Sequence, residues 1–322
     1  MTAKDSDTDI AVLRQKIHGL SATAYAERLQ ERLPEQTVTA AQTPDAERRL
    51  LTQASVATGY SLPEEMPEIA TNLELFACVF AGTGHLSLDE FEANNIAVTN
   101  ASGVHGPNVA EYVLGGILSF ARGFHQANRR AQFNEWRSYQ TKELTGSTVT
   151  IIGLGAIGTS VAEHLQSFDV HRIGVRHSPQ KGGPVEDVVG LNNTEAVHKA
   201  VSHTEYVVLA CPLTELTRGL VDANLFRSMP PETVIINVAR GPVINTDDLV
   251  TALQTNAIRG AMLDVTDPEP LPPDHVLWNF GNVIITPHNA GHTPKYWDRL
   301  ADIVAENIAR LEANESLRNQ VV

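Results

Sequence analysis

Residues 148 to 178 constrain the fold more than any other stretch of this chain. An apolar run, Val149-Thr-Ile-Ile152, leads straight into Gly153-Leu-Gly155-Ala156-Ile157-Gly158, and an apolar-periodic segment, Val161 to Phe168, follows. The order strand, glycine turn, helix gives the G-x-G-x-x-G spacing its meaning. The first glycine makes the turn, the second admits a pyrophosphate against the backbone, and the third lets helix pack on strand. N–H groups at the helix start, reinforced by its dipole, receive the phosphates. Gly153, Gly155, Ala156, Ile157 and Gly158 are therefore expected to hold a dinucleotide.

The end of the next strand selects the nucleotide. An acidic residue about 20 residues past the glycines would bind the adenosine ribose hydroxyls, but His171-Arg-Ile-Gly-Val175 runs into Arg176-His177-Ser178. A guanidinium there suits a 2′-phosphate, to which it offers a bidentate pair. The sequence predicts NADP(H) in preference to NAD(H), with Arg176, His177 and Ser178 at the adenosine end.

A length of 322 residues suits two domains. No apolar run reaches membrane-spanning length, and the start Met-Thr-Ala-Lys lacks a signal peptide's apolar region, so a cytoplasmic protein is expected. A formal charge of −14 argues against nucleic acid or anionic membranes as partners. Only six of the 24 basic residues are lysine, and an acidic, lysine-poor surface is the expectation for a halophilic protein kept hydrated in high salt. Cys78 and Cys211 lie in apolar runs and read as buried free thiols.

The first hundred residues alternate short strands and helices, among them the buried strand Phe76-Ala-Cys-Val-Phe80 leading into Ala81-Gly-Thr-Gly84. A helix starts near Pro107, runs to Phe124 and is apolar nearly all round, which predicts burial. The domain crossing is placed near residue 101. From Val149 on, apolar strands at Ile151, Ile173, Val207–Leu209, Val234–Asn237, Gly260–Leu263 and Val283–Ile285 alternate with helices, the pattern of a parallel sheet covered on both faces. A last amphipathic helix, roughly Lys295 to Leu311, could return to the first domain. The expected fold is α/β with two Rossmann-like domains and a cleft between them. Residues 1–100 plus 292–322 would form a flavodoxin-like substrate domain, and 101–291 a doubly wound dinucleotide-binding domain.

Three polar residues follow strand ends, where open α/β sheets gather ligand-contacting loops. Arg240 closes Asn237-Val238-Ala239-Arg240-Gly241, Glu269 lies in Asp264-Val-Thr-Asp-Pro-Glu-Pro270, and His288 in Thr286-Pro-His-Asn-Ala-Gly291. Singly they read as a surface arginine, a solvated carboxylate and a satisfied histidine. Together they make a sensible site for reducing a 2-ketoacid. Arg240 can bind the carboxylate; His288, as imidazolium, can protonate the carbonyl oxygen; Glu269, with Asp267 as a rival, can orient the imidazole and keep its proton available.

These residues carry a resemblance to the D-2-hydroxyacid dehydrogenase family, which includes glycerate, glyoxylate/hydroxypyruvate and phosphoglycerate dehydrogenases. The matching segments are Val109-Ala-Glu-Tyr, the glycine turn, Pro212-Leu-Thr, Asn237-Val-Ala-Arg-Gly241, Leu263-Asp-Val, Pro268-Glu-Pro270 and Pro287-His-Asn-Ala-Gly291. The match is strong from about Phe76 to Gly291 and weak before it. The resemblance implies that Arg240 binds substrate, His288 is the acid/base and Glu269 its partner, since the family's glutamate directly precedes a proline. It implies that N–H groups of Gly82, Thr83 and Gly84 receive the substrate carboxylate. Pro212 and Thr217, with Cys211 beside them, would border the adenosine ribose, Val238 and Ala239 the nicotinamide side, and Asp264 the nicotinamide carboxamide. One departure is His85, which follows Gly84 where relatives often carry an aspartate. The resemblance also implies a homodimer joined through the nucleotide-binding domain, for which Arg122 to Tyr139, with Phe124, Phe133 and Trp136, offers apolar surface. The resulting expectation is an NADPH-preferring reductase of small 2-ketoacids without a metal; a nicotinamide-binding corepressor or sensor is the alternative.

Overall fold

The computed structural model describes residues 8–63 and 69–322. The chain divides into two compact units, Met1–Val104 with His292–Val322, and His105–Gly291. The division falls between Val104 and His105.

In the first unit, β1 (Ile10–Val12), β4 (Val38–Ala40), β5 (Val56–Gly59), β6 (Leu75–Cys78) and β7 (Ala97–Thr99) form a parallel sheet in the order β4-β1-β5-β6-β7, while β2 (Lys16–Ile17) and β3 (Leu20–Ser21) make a small antiparallel hairpin. Counting only the sheet strands, this is the 2-1-3-4-5 order of the flavodoxin-like doubly wound fold. Every residue of β1, β5 and β6 is buried, as a parallel sheet covered on both faces requires. The helix Tyr296–Glu312 belongs to this unit, and its Trp297 ring stacks on Tyr25 of the helix Ala22–Arg32 at 4.4 Å. Gly82 and Gly84 follow the C-terminal end of β6, and a Cβ at either would meet nothing within 4 Å. Neither glycine is demanded by the protein's own packing, so the loop is open to a ligand.

In the second unit, β8 (Thr148–Ile152), β9 (His171–Arg176), β10 (Asp187–Gly190), β11 (Tyr206–Leu209), β12 (Val234–Asn237), β13 (Gly260–Leu263) and β14 (Val283–Ile285) pair in parallel in the order β10-β9-β8-β11-β12-β13-β14. The strand order reverses between β8 and β11, the switch point outside which such sheets bind ligands. Two apolar layers flank the sheet, one including Val207, Leu209, Ile235 and Leu263, the other Ile151, Val208, Ile236 and Met262. Alternate residues of β11 and β12 thus feed opposite layers.

Two expectations need correction. The helix Gly106–Arg122 ends on Gly123 in the left-handed conformation, φ 68°, the usual terminator. It is not buried all round: Val109, Ala110, Val113, Ile117 and Phe120 are buried, whereas Glu111 and Gly115 are exposed. A helix lying on one side of a sheet needs only one apolar face. The second correction is β10, absent from the sequence reading because Asp187-Val-Val-Gly190 is short, and as an edge strand it is only partly buried.

Candidate active site

The three glycines of the turn have three distinct steric circumstances. Gly153 sits at φ 105°, and a Cβ there would lie 2.6 Å from the Cys211 amide nitrogen; at Gly158 it would lie 1.8 Å from the Gly153 carbonyl oxygen. At Gly155, the residue before the helix Ala156–Leu165, a Cβ would meet nothing within 4 Å. Two glycines are thus required by the protein and the middle one leaves room for something outside it, as a pyrophosphate against the helix N-terminus would need. The residues present fit a dinucleotide.

Beside the turn lies a cavity of about 710 Å³. Its walls hold Gly153, Gly155, Arg176, His177, Ser178, Cys211, Pro212 and Thr217, eight of the residues expected at the cofactor, together with Lys181, Thr214 and Glu215, which the sequence reading did not single out. Arg176 donates from Nη1 to the Gly182 carbonyl at 2.5 Å, which fixes the arm of its guanidinium. The Thr217 hydroxyl donates to the Pro212 carbonyl at 2.6 Å and accepts from the Thr214 N–H at 2.8 Å, so it shapes the loop from within. Cys211 is free and buried, and burial pushes its thiol up to about 11.

His288 and Glu269 are brought together. His288 Nδ1 lies 2.6 Å from Glu269 Oε1, with both side chains half exposed. A carboxylate only accepts, so Nδ1 carries the hydrogen in this bond. The glutamate stands in a loop whose Asp267–Pro268 and Glu269–Pro270 bonds are both cis. A second cavity, about 510 Å³, borders the pair and is walled also by Leu271, Trp278 and Ile285.

His288 has φ 53°, a left-handed conformation that costs a non-glycine residue about 1–3 kcal/mol and persists only where neighbours over-determine it. Asp264 is the main such neighbour. Its side chain, in a residue only 3 % exposed, accepts from Thr286 Oγ1 at 2.6 Å, from the Asn289 N–H at 2.8 Å and from the Ala290 N–H at 2.9 Å, while its main-chain carbonyl accepts the His288 N–H at 2.8 Å. Because Thr286 spends its proton on the carboxylate, the Tyr112 hydroxyl must be the donor in its bond to Thr286. Burial, and next to it the Asp264 charge, push Tyr112 up to about 12 despite that bond. Asp264, expected from the sequence only as a cofactor contact, is the anchor of the histidine loop. A carboxylate has about four acceptor sites, so three internal donors leave room for one more.

Arg240 follows β12, two strands from β14, and is exposed, with Nη1 donating to the Ala239 carbonyl at 2.6 Å. Its turn is built by Asn237, whose side chain accepts from the Ala239 N–H at 3.0 Å and donates to the Arg240 carbonyl at 3.1 Å. Gly241 is obligatory, since a Cβ there would stand 1.9 Å from the Thr266 carbonyl oxygen. Val238 and Ala239 are buried.

Comparison with known proteins agrees with this geometry. Residues 114–290 match the family described as D-isomer specific 2-hydroxyacid dehydrogenase, NAD binding domain. A glyoxylate reductase of Thermofilum pendens is 34 % identical over 250 residues, 76 % of this chain and 73 % of that protein. The human glyoxylate reductase/hydroxypyruvate reductase is 33 % identical over 242 residues, 74 % of this chain and 73 % of that one. Among solved structures, a D-isomer specific 2-hydroxyacid dehydrogenase from Xanthobacter autotrophicus Py2, in complex with NADPH and MES, superposes with a TM-score of 0.78 at 28 % identity, covering 98 % of each chain. With glycine turn, histidine loop and these relatives in agreement, the chain belongs to the D-isomer specific 2-hydroxyacid dehydrogenases, oxidoreductases built on a Rossmann-type domain for a nicotinamide cofactor.

Proposed function

We propose that the protein is a cytoplasmic 2-ketoacid reductase that prefers NADPH, yields D-2-hydroxyacids and works as a homodimer. The observation that carries the reading is the 2.6 Å pair of His288 and Glu269, formed in the same unit as the nucleotide turn. When bound, the nicotinamide supplies a hydride to the carbonyl carbon. Glu269 holds Nδ1–H and so aims the imidazolium; from Nε2 it gives a proton to the carbonyl oxygen, and in the oxidation direction neutral His288 takes that proton back. Arg240 pairs with the substrate carboxylate. An intact acid–base pair favours turnover over a sensor that merely binds cofactor.

The preference for NADPH is supported by Arg176 and Lys181 on the wall of the adenosine cavity, where Glu215 is the sole carboxylate among the described lining residues. Dimerisation is supported by Phe124, Phe133 and Trp136, large apolar side chains close together in sequence that are 55 %, 68 % and 103 % exposed, as residues awaiting a partner surface would be. Among the described residues, no helix is long and apolar enough to cross a membrane, and no cluster of metal-ligating side chains occurs.

The test is to follow nicotinamide absorbance with glyoxylate, hydroxypyruvate and 2-ketoisocaproate, comparing NADPH with NADH at low and molar KCl. NADPH should be consumed faster than NADH, and His288→Gln should lose about 100- to 10,000-fold in kcat while binding NADPH as before. Activity rising with KCl would bear out adaptation to salt. Undiminished turnover in His288→Gln would remove the histidine from the chemistry.

A further inference from the structure

The first unit carries an aromatic cluster that the acid–base chemistry of His288 and Glu269 does not use. Tyr60 directly follows β5 and Phe80 lies two residues past β6, neighbouring parallel strands in which Gly59 and Cys78 are register partners. Both side chains therefore leave the sheet at its C-terminal edge, and β5 is one of the two strands at this sheet's own switch point, between β1 and β5, where ligands gather. His85 joins them from beyond the loop 81–84: its ring stacks on Tyr60 at 4.0 Å, and Phe80 meets Tyr60 edge-on at 5.3 Å. We propose that Tyr60, Phe80 and His85 form the wall that selects the side chain of the ketoacid, favouring branched apolar chains over the hydrogen of glyoxylate or the hydroxymethyl group of hydroxypyruvate, an assignment that rests on the reductase reading and adds the substrate class to it.

Position comes first. Phe80 and His85 bracket the loop whose Gly82, Thr83 and Gly84 N–H groups are expected to take the substrate carboxylate, and a Cβ at Gly82 or Gly84 would meet nothing within 4 Å. A ketoacid held by its carboxylate in that loop has its side chain within reach of the rings at the loop's two ends. Among the described residues of this unit, Tyr60 and Phe80 are the only exposed Phe, Tyr or Trp side chains, at 47 % and 36 %. Apolar rings open to water beside a ligand loop release that water when an apolar group settles on them.

The rings are also held in place before any ligand arrives. A carbonyl only accepts, so His85 Nε2 donates to the Tyr60 carbonyl at 2.8 Å. The buried Cys78 thiol donates to the same carbonyl at 3.8 Å and its sulfur accepts from the Phe80 N–H at 3.5 Å. One buried sulfur and one carbonyl thus tie all three aromatic residues together, and a surface fixed in advance loses little freedom when a ligand docks on it. The polar edge of His85 that faces Tyr60 is spent on this bond, so the trio offers ring faces rather than charge. The aspartate that relatives often carry at this point would set a carboxylate against the Tyr60 carbonyl, acceptor against acceptor, and could not build the same wall.

The experiment is calorimetric titration of the full chain, saturated with reduced nicotinamide cofactor, with two unreactive ketoacid analogues: oxamate, and N-isopropyloxamate, which has the shape of 2-ketoisocaproate with N–H in place of a methylene. Wild type should bind N-isopropyloxamate about tenfold or more tighter than oxamate. Tyr60→Ala and Phe80→Ala should each cut that ratio by about threefold or more, whereas Tyr60→Phe, which keeps the ring, should hold it. His85→Asp should lower the ratio as well, and His85→Gln, whose amide can still donate to the Tyr60 carbonyl, should recover part of it. All three side chains are exposed, so the fold should survive, and thermal melting checks this. A ratio near one in wild type, a ratio kept by both alanine variants, or no heat with either analogue at millimolar concentration overturns the proposal. So does a lowered Tm with an unchanged ratio, because the rings would then serve packing alone. None of these readings depends on turnover: analogues that discriminate while no ketoacid is reduced would sink the reductase reading and leave the wall standing, and reduction without discrimination would do the reverse.

Discussion

Replacing Asp264 by Asn strikes the point from which the loop 286–290 hangs. One carboxylate oxygen takes Thr286 Oγ1 and the Asn289 N–H, and the other takes the Ala290 N–H. An amide can keep the first oxygen, but its NH2 group then faces the Ala290 N–H, donor against donor; the flipped amide loses two bonds instead of one. The smaller loss is one hydrogen bond to a charged acceptor, about 1.5–3 kcal/mol, and the two surviving bonds forfeit charge assistance, roughly half their strength. A destabilisation of about 3 kcal/mol follows, or a fall of about 6–12 °C in Tm for a unit of this size. Because the His288 N–H rests on the Asp264 carbonyl, relaxation of the loop also loosens the imidazole from Glu269, and kcat falls with stability. Thermal melting by circular dichroism and steady-state kinetics read the two effects. Tyr112→Phe is the companion variant: it removes only the outermost donor of the chain and should cost about 1 kcal/mol or less. An Asp264→Asn protein that melts within about 2 °C of wild type and turns over normally would refute the assignment of this carboxylate as the loop's anchor.

The glycines of the nucleotide turn should separate by readout: Gly155→Ala should fold normally and bind NADPH poorly, whereas Gly158→Ala, with a Cβ 1.8 Å from a carbonyl oxygen, should fail to fold or melt far lower, and parallel melting and cofactor titration distinguish them. Arg176→Asp should weaken NADPH by about tenfold or more while sparing NADH; an unchanged ratio of kcat/KM for the two cofactors would move the phosphate contact elsewhere. Hydrogen bonds from Arg172 hold the Glu186 carboxyl down, from its ordinary 4.5 to about 2. A carboxylate depressed in the folded state stabilises above its unfolded pKa and loses that contribution as pH falls through the folded value. Glu186→Gln should therefore cost about 1 kcal/mol at pH 7, the small figure reflecting a partly exposed pair, and the gap to wild type should close between pH 4.5 and 2 in denaturant titrations.

The parts of this molecule legible in its sequence are those set by local sterics and periodicity. Gly153, Gly155 and Gly158 announced the turn because each tolerates a contact that a Cβ would forbid or fill, and the buried strands β11 to β13 stood out as continuous apolar runs. The residues alone left Asp267 and Glu269 as rivals, each before a proline; the family resemblance, which places a glutamate there, selected Glu269 as the partner of His288. What stayed hidden depends on three-dimensional partners. Asp264 reads as one acidic residue after a strand; that its carboxylate would be consumed by Thr286, Asn289 and Ala290 follows only from the side-by-side register of β13 and β14. Lys181 is an ordinary polar residue until the loop after β9 brings it to the wall of the cavity beside the glycine turn. β10 escaped notice because an edge strand lacks the two-sided burial that makes its neighbours conspicuous.

The turn for the dinucleotide and the histidine–glutamate pair lie on one uninterrupted stretch of polypeptide, between Thr148 and His288, inside a unit with its own sheet and its own two apolar layers. Heredity can therefore handle this half as a cassette. On the proposed reading, mutations accumulating in the other half can redraw substrate choice without touching the nucleotide turn or the His288–Glu269 pair. The resemblance that fades before Phe76 is what such a division of labour would leave behind, and a chimera that joins this cassette to a foreign partner half is the natural starting material for changing substrate choice.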